Sequence, residues 1–392
     1  MASDTPKTAA KSAASRNGKT AANGTASRNG KTAANGAASR NGKASGYTIS
    51  VQVPHYEAAQ HDHKALGLTD EHVLEMYRNM LLQRRFEERA AQMYGKQKIA
   101  GFLHLYIGQE AVSTGTAYAM RIGEDSLITA YRDHGHGLAL GMTANECMAE
   151  LFGKIDGSSR GKGGSMHYFS KELKMMGGHG IVGAHIPLAT GLAFANKYKD
   201  EDTVAICFFG DGAMHQGAYH EAANLAGLYD LPVIFCIENN GYAMGTSVER
   251  AAADPDLYKQ GVPYGLHAAV VNGMDVFDVY AAMKDYIEKA RNGEPSLLEI
   301  RTYRYRGHSM SDPQKYRTKE ELDSKKEIDP IIRLKAYILE HDLSDNDALD
   351  VIDDEVKAEV MASVEFAENS PFPDESTIYE DIYTQKDYPF LA

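Results

Sequence analysis

Asp211 and Asn240 stand 29 positions apart, and each closes an apolar run. Val204-Ala205-Ile206-Cys207-Phe208-Phe209 leads into Gly210-Asp211-Gly212. Leu231-Pro232-Val233-Ile234-Phe235-Cys236-Ile237 leads into Glu238-Asn239-Asn240. A carboxylate and a neutral amide oxygen suit one hard cation such as Mg2+, which takes oxygen ligands and fills its octahedron with water and phosphate. Gly210 and Gly212 let the backbone turn sharply and come close to a ligand. Alone, Gly-Asp-Gly is an ordinary turn and Asn-Asn an ordinary loop. Their joint placement at two strand ends is what points to a site.

The elements that must position this pair follow from the pattern. Apolar runs without polar alternation predict strands buried on both faces, and Ala213 to about Leu228 predicts the helix between them. Strand–helix–strand puts both carboxyl ends on one edge of a parallel sheet, where open α/β sheets bind ligands. The helix opening near Ala213 aims N–H groups and a positive dipole end at a phosphate. The fold expected is therefore α/β: a doubly wound, mostly parallel sheet flanked by helices, over residues 47–317.

Residues 69–94 predict a helix capped by Thr69 or Asp70, with Val73, Met76, Tyr77, Met80 and Leu81 on its apolar face. Arg84, Arg85, Glu87, Glu88 and Arg89 predict a solvated or subunit-facing surface. His104, between apolar neighbours, reads as a core histidine. After Leu127–Ala130, read as an apolar turn, Tyr131-Arg132-Asp133-His134-Gly135-His136-Gly137 offers a phenol, a guanidinium and imidazoles. The paired donors of arginine suit a diphosphate; an ordinary polar loop is the alternative. Two glycine clusters, Gly161–His167 and Gly177–Ala184, predict either backbone close to a ligand or subunit, or flexible surface loops. Neither has the Gly-Lys-Ser/Thr of a Walker sequence. Pro187–Tyr198 predicts a small-residue helix. Leu298–Tyr303 predicts a strand running into the Arg-rich loop Arg304–Pro313, which needs a ligand to hold it down.

Charge is uneven. The chain of 392 residues carries −13, but residues 1–46 hold eight Lys and Arg against Asp4, a net of +7, which leaves −20 for the rest. Residues 318–392 hold 21 Asp and Glu against seven Lys and Arg. An acidic body argues against nucleic acid, which needs basic surface. No apolar run is long enough to span a membrane. Residues 1–46 repeat Ser-Arg-Asn-Gly-Lys at positions 15, 27 and 39 and lack Leu, Ile, Val and Phe. Such a stretch predicts a disordered basic tail, either an arm for an acidic partner or a passive extension. Residues 318–392 predict an acidic helical extension packing on the domain or on a partner subunit. Cys147, Cys207 and Cys236 form no metal or disulfide pattern.

Gly-Asp-Gly followed at this distance by Asn-Asn is similar to the thiamine diphosphate motif of thiamine-dependent enzymes. Over roughly residues 65–390 the chain resembles the α subunit of the E1 component of 2-oxo acid dehydrogenase complexes, most of all the pyruvate dehydrogenase type. Gly101–His104 with Gly108-Gln109-Glu110, Tyr131-Arg132, Gly161–His167, Gly180–Ala184, Gly210–Ala213, Glu238–Arg250 and Tyr303–Pro313 carry the resemblance. It implies thiamine diphosphate held with Mg2+, the metal bound by Asp211, Asn240 and the Tyr242 carbonyl. It implies Tyr131, Arg132 and His308 on the diphosphate. Gly180, Val182, Gly212 and Ala213 would line the cofactor, Met244 would sit beneath it, and His104 with His308 would serve catalysis. The activity implied is oxidative decarboxylation of pyruvate with reductive acetylation of a lipoyl group. The partners implied are an E1 β subunit, in an α2β2 heterotetramer whose β chain brings the activating glutamate, and a lipoyl-bearing E2 acetyltransferase.

Branched-chain α subunits usually carry Glu where Asp211 stands, and acetoin-cleaving relatives lose Ser309-Met310-Ser311. A scaffold subunit without chemistry is the reading from a different class, against which intact Asp211, Asn240, Arg132 and His308 argue. Ser309 and Ser247 match phosphorylation sites of mitochondrial relatives. Lacking targeting signals, the sequence predicts a bacterial cytoplasm, with the mitochondrial matrix as alternative.

Overall fold

In the two apolar runs, alternate residues point to opposite faces of a strand, and both sets find a core. Ile206, Phe208, Ile234 and Cys236 belong to one buried apolar cluster, and Ala205, Cys207, Phe209, Val233, Phe235 and Ile237 to another. A computed structural model describes residues 53–57 and 61–384. The expected basic tail of residues 1–46 lies outside the described residues. In chain order the strands are β1 (His55–Tyr56), β2 (Ser126–Ala130), β3 (Met175–His179), β4 (Ala205–Gly210), β5 (Val233–Asn239), β6 (Tyr242–Ala243), β7 (Thr246–Ser247), β8 (His267–Asn272) and β9 (Ser296–Arg301). The helices are α1 (Asp70–Gly95), α2 (Glu110–Ala119), α3 (His134–Ala139), α4 (Ala144–Leu151), α5 (His185–Tyr198), α6 (Gly217–Tyr229), α7 (Val248–Ala251), α8 (Val276–Arg291), α9 (Lys319–Lys326), α10 (Pro330–Glu340) and α11 (Asn346–Asn369).

Seven strands form one sheet in the order β1-β8-β9-β5-β4-β2-β3, with every neighbouring pair parallel. This is the α/β sheet flanked by helices that the apolar runs predict. β4 and β5 lie side by side, in register from Ala205↔Val233 to Gly210↔Glu238. Because all pairs are parallel, Ala130, His179, Gly210, Asn239 and Arg301 end on one edge. β6 and β7 form a separate hairpin just beyond β5.

Three local expectations change. Leu127–Ala130 is part of strand β2 rather than a turn, because its residues are buried against β3 and β4. The helix after β4 opens at Gly217, preceded by a 3-10 turn over Asp211–His215. Two residues of the charged stretch of α1 leave the expected surface: Glu87 is fully buried, and Arg84 is bonded to Glu110 and Asp329, whereas Arg85, Glu88 and Arg89 stay partly exposed. Helical geometry turns both toward the body, where their partners arrive from distant segments.

Thr69 caps α1 by accepting the His72 N–H. In the acidic C-terminal segment, Asp329 caps α10 through the N–H groups of Ile331 and Ile332. α11 buries Leu349, Val356 and Val360 in the same apolar cluster as α1 and α4. Among the described residues no helix is long and apolar enough to cross a membrane.

Candidate active site

A cavity of ≈ 880 Å³ opens at the carboxyl edge of the sheet, between the tips of β2, β4 and β5, the β6–β7 hairpin and the loop after β9. His104, Tyr131, Arg132, Gly180, Val182 and Asp211 line it, as do Gly212, Ala213, Asn240, Tyr242, Met244 and His308. Every candidate site residue named from the sequence therefore faces one space of a size suited to a cofactor.

Asp211 lies one residue beyond β4 and Asn240 one beyond β5, both buried. Burial pushes the Asp211 carboxyl up to about 6; nearby backbone N–H groups and the Arg304 charge oppose that rise. Arg304 Nη1 donates to Asn240 Oδ1 and to the Tyr242 carbonyl, each at 3.2 Å. A side-chain amide oxygen and a main-chain oxygen thus converge on one cationic atom beside a buried carboxylate. The guanidinium stands in for a cation at that point, and the donor set fits a hard metal ion. Gln109 fixes the amide: its Oε1 accepts Asn240 Nδ2 at 3.0 Å, leaving Oδ1 to face Arg304. Among the described residues no group of three or more His, Cys, Asp and Glu could hold a metal.

A second arginine stands in the cavity lining. Arg132 is buried, donates to the Leu105 carbonyl at 2.6 Å and the His308 carbonyl at 2.9 Å, and pairs with no carboxylate among the described residues. Burial and the nearby Arg304 charge lower it to about 10. His104, Tyr131 and His308 pack together, with ring centroids 4.6, 5.2 and 5.5 Å apart. Burial, then the Arg132 charge, lowers His104 to about 3 and His308 to about 4, so both imidazoles are neutral near pH 7. His104 Nδ1 is buried without a protein partner. His308 is held from behind, its backbone N–H donating to Asp312 Oδ2 at 2.7 Å. At the mouth, Met244 is 65% exposed in the hairpin turn, and its φ of 53° is a left-handed conformation uncommon outside glycine.

Several residues support the site in ways the sequence did not disclose. The His104 backbone N–H bonds to Ser165 Oγ, Ser165 to His134 Nε2, and His134 Nδ1 to Glu87. Burial alone would lower His134, but the Glu87 carboxylate outweighs it and raises it. Glu238 lines the cavity and takes the Tyr106 hydroxyl at 2.5 Å and His136 Nε2 at 3.2 Å. The two glycine clusters part company. Gly180, Val182 and Gly183 line the cavity, whereas Gly161, Gly163 and Gly164 turn their N–H groups onto the buried Glu150 carboxylate at 2.7–2.9 Å. That loop cradles an anion, but an internal one.

A parallel sheet with a cavity at its carboxyl edge defines the class: an open α/β protein whose ligand site lies at the strand tips. The family model of the dehydrogenase E1 component matches residues 77–376. The chain is 53% identical over 311 residues to the pyruvate dehydrogenase E1 component subunit alpha of Rhizobium meliloti, covering 79% of this chain and 89% of the relative. It is 49% identical over 318 residues to the protein of that name from Zymomonas mobilis, covering 81% and 90%. It is 44% identical over 342 residues to the chloroplastic subunit alpha-3 of Arabidopsis thaliana, covering 86% and 80%. The chain belongs to the dehydrogenase E1 component family, whose members depend on thiamine diphosphate.

Proposed function

We propose that the chain is the α subunit of a pyruvate dehydrogenase E1 component, which decarboxylates pyruvate and passes the acetyl unit to a lipoyl group on an E2 partner. The observation that carries the site assignment is the Arg304 guanidinium placed 3.2 Å from both Asn240 Oδ1 and the Tyr242 carbonyl. On this reading Asp211, Asn240 and the Tyr242 carbonyl hold Mg2+. Arg132, Tyr131 and His308 take the diphosphate, which gives the buried Arg132 the anion it lacks. Gly180, Val182, Gly212 and Ala213 admit the cofactor against bare backbone, and Met244 supports it from below.

Thiamine diphosphate supplies the electron sink for losing CO2 from a 2-oxo acid. The protein's part is to orient, to neutralise charge and to exclude water. Neutral His104, with a free Nδ1, offers the substrate a hydrogen-bond partner without adding charge, and neutral His308 stands beside it. Packing against Tyr131 and the Ser165–His134–Glu87 chain fixes His104 in place.

An incomplete site agrees with a partner. Phe102 and Ile181 stand exposed beside the cavity, and Leu188, Phe194, Tyr198 and Leu228 are exposed on the outer faces of α5 and α6. Large apolar side chains exposed in this number around a cavity and on two neighbouring helices are what an interface would cover. An E1 β subunit, in an α2β2 assembly, would cover it and bring the activating glutamate.

The test is binding and turnover with the β partner present. Thiamine diphosphate binding should require Mg2+, and pyruvate should be decarboxylated in preference to branched 2-oxo acids. Robust turnover by the isolated chain, or cofactor binding indifferent to Asp211→Ala, would overturn the reading.

A further inference from the structure

One carboxylate outside the cavity is bonded to both segments that form the cation point. Glu321, in the first turn of α9, accepts the Tyr242 hydroxyl at 3.0 and 3.1 Å on its two oxygens and the Tyr303 hydroxyl at 2.8 Å. Tyr242 carries the carbonyl on which Arg304 Nη1 rests, and Tyr303 directly precedes Arg304. Glu321 does not line the main cavity. It faces a neighbouring recess shared with Tyr242, Tyr303, Arg301 and Lys325. Its place is fixed independently of any ligand, because Thr318 Oγ1 accepts its backbone N–H at 3.1 Å and caps the helix.

A main-chain carbonyl has no rotamer of its own. Tyr242 follows Gly241 at φ 88° and is separated from the turn residue Met244, at φ 53°, only by Ala243, so its backbone lies in a tight and adjustable stretch. The β6–β7 pairing with Ser247 holds one end of that residue, and the side chain's far end, tied to α9, holds the other. We propose that Glu321 is a positioning residue for the metal: through Tyr242 it aims the backbone ligand, and through Tyr303 it keeps the Arg304 segment in register with it. The acidic segment after residue 318 thereby becomes part of the cofactor apparatus. The inference rests on the Mg2+ role given to Asp211, Asn240 and Tyr242 above.

The experiment uses the full chain assembled with its β partner and titrates Mg2+ while following thiamine diphosphate binding. Outer-shell partners of metal ligands are worth about 10–100-fold in metal affinity. Glu321→Ala and Tyr242→Phe should each raise the half-saturating Mg2+ concentration about tenfold or more. Glu321→Gln, which keeps an acceptor oxygen, should recover part of the loss. The double variant Glu321→Ala/Tyr242→Phe should be no worse than Glu321→Ala alone, since that change already removes the Tyr242 link. Saturating Mg2+ should restore cofactor affinity in all of them. Unchanged half-saturation in Tyr242→Phe and Glu321→Ala, or additive effects, would overturn the inference while leaving the functional reading intact. Wild-type protein that bound the cofactor without Mg2+ would refute that reading and this inference with it.

Discussion

Arg84 offers the sharpest test of how the acidic C-terminal segment is joined to the site. Its guanidinium donates to Glu110 Oε1 at 2.5 Å, Glu110 Oε2 at 3.0 Å and Asp329 Oδ2 at 2.9 Å. The side chains of Arg84, Glu110 and Asp329 are 15%, 1% and 5% exposed. Replacing Arg84 with Met keeps the stem that packs near the Tyr305 ring but leaves two carboxylates buried without their cation. Breaking such a triad costs about 3–5 kcal/mol, most of it the penalty of uncompensated charge. At roughly 2 °C per kcal/mol for a chain of this size, Tm should fall by about 6–10 °C. The site should loosen as well, because Glu110 accepts the Gly108 N–H at 3.0 Å and so anchors the turn carrying Gln109. Thermal and urea unfolding measure the loss. Adding Glu110→Gln and Asp329→Asn to Arg84→Met should recover at least half of it by removing the stranded charges. A loss below about 1 kcal/mol, the range of an exposed pair, or a triple variant less stable than Arg84→Met, would refute the argument.

Two further outcomes follow from the cavity. His104 titrates at about 3 against an ordinary value of 6.5, so below pH 6.5 the unfolded chain binds a proton that the fold refuses. Its stabilising contribution is complete above pH 6.5 and drains away as pH falls toward 3. At about 1.4 kcal/mol per pH unit, His104→Gln should gain about 2 kcal/mol relative to the cofactor-free wild type between pH 6.5 and pH 5 in urea unfolding; parallel slopes would count against it. A Cβ on Gly212 would stand 2.5 Å from the Ala243 Cβ, so Gly212→Ala should displace the β6–β7 hairpin, cost about 1–3 kcal/mol and weaken cofactor binding. Gly212→Ala with Ala243→Gly should restore both, and failure of that rescue would sink the steric account.

What could be read from the sequence was local. Two short apolar runs bounded by turn residues predict strands buried on both faces, and their tips place Asp211 and Asn240 on one edge. The cavity residues Tyr131, Arg132 and His308 were legible for a different reason: they stand in segments that resemble the dehydrogenase E1 component family. What escaped was long-range. Arg84 and Glu87 look like solvated charges because their partners Glu110, Asp329 and His134 lie far along the chain. Gly161–Gly164 and Gly180–Gly183 look alike, because exposed N–H groups are all a glycine cluster advertises; that Glu150 fills the first appears only once α4 is placed beside it. Leu127–Ala130 is too short to distinguish a strand from a turn without its neighbours.

The charges around the cavity couple metal and cofactor. Arg132 and Arg304 are two buried guanidiniums that pair with no carboxylate among the described residues, and each lies close enough to shift its neighbours. A divalent ion arriving alone would join them at a point where only Asp211 brings a formal charge, and it would have to displace Arg304 from Asn240 and Tyr242. A diphosphate arriving alone would meet Arg132 but leave the three oxygens pointing at its own negative charge. Together the two neutralise each other, and the freed guanidinium gains an anionic acceptor. Mutual dependence of Mg2+ and thiamine diphosphate binding is therefore the expected consequence if the proposed ligand set, with its one carboxylate, holds the metal.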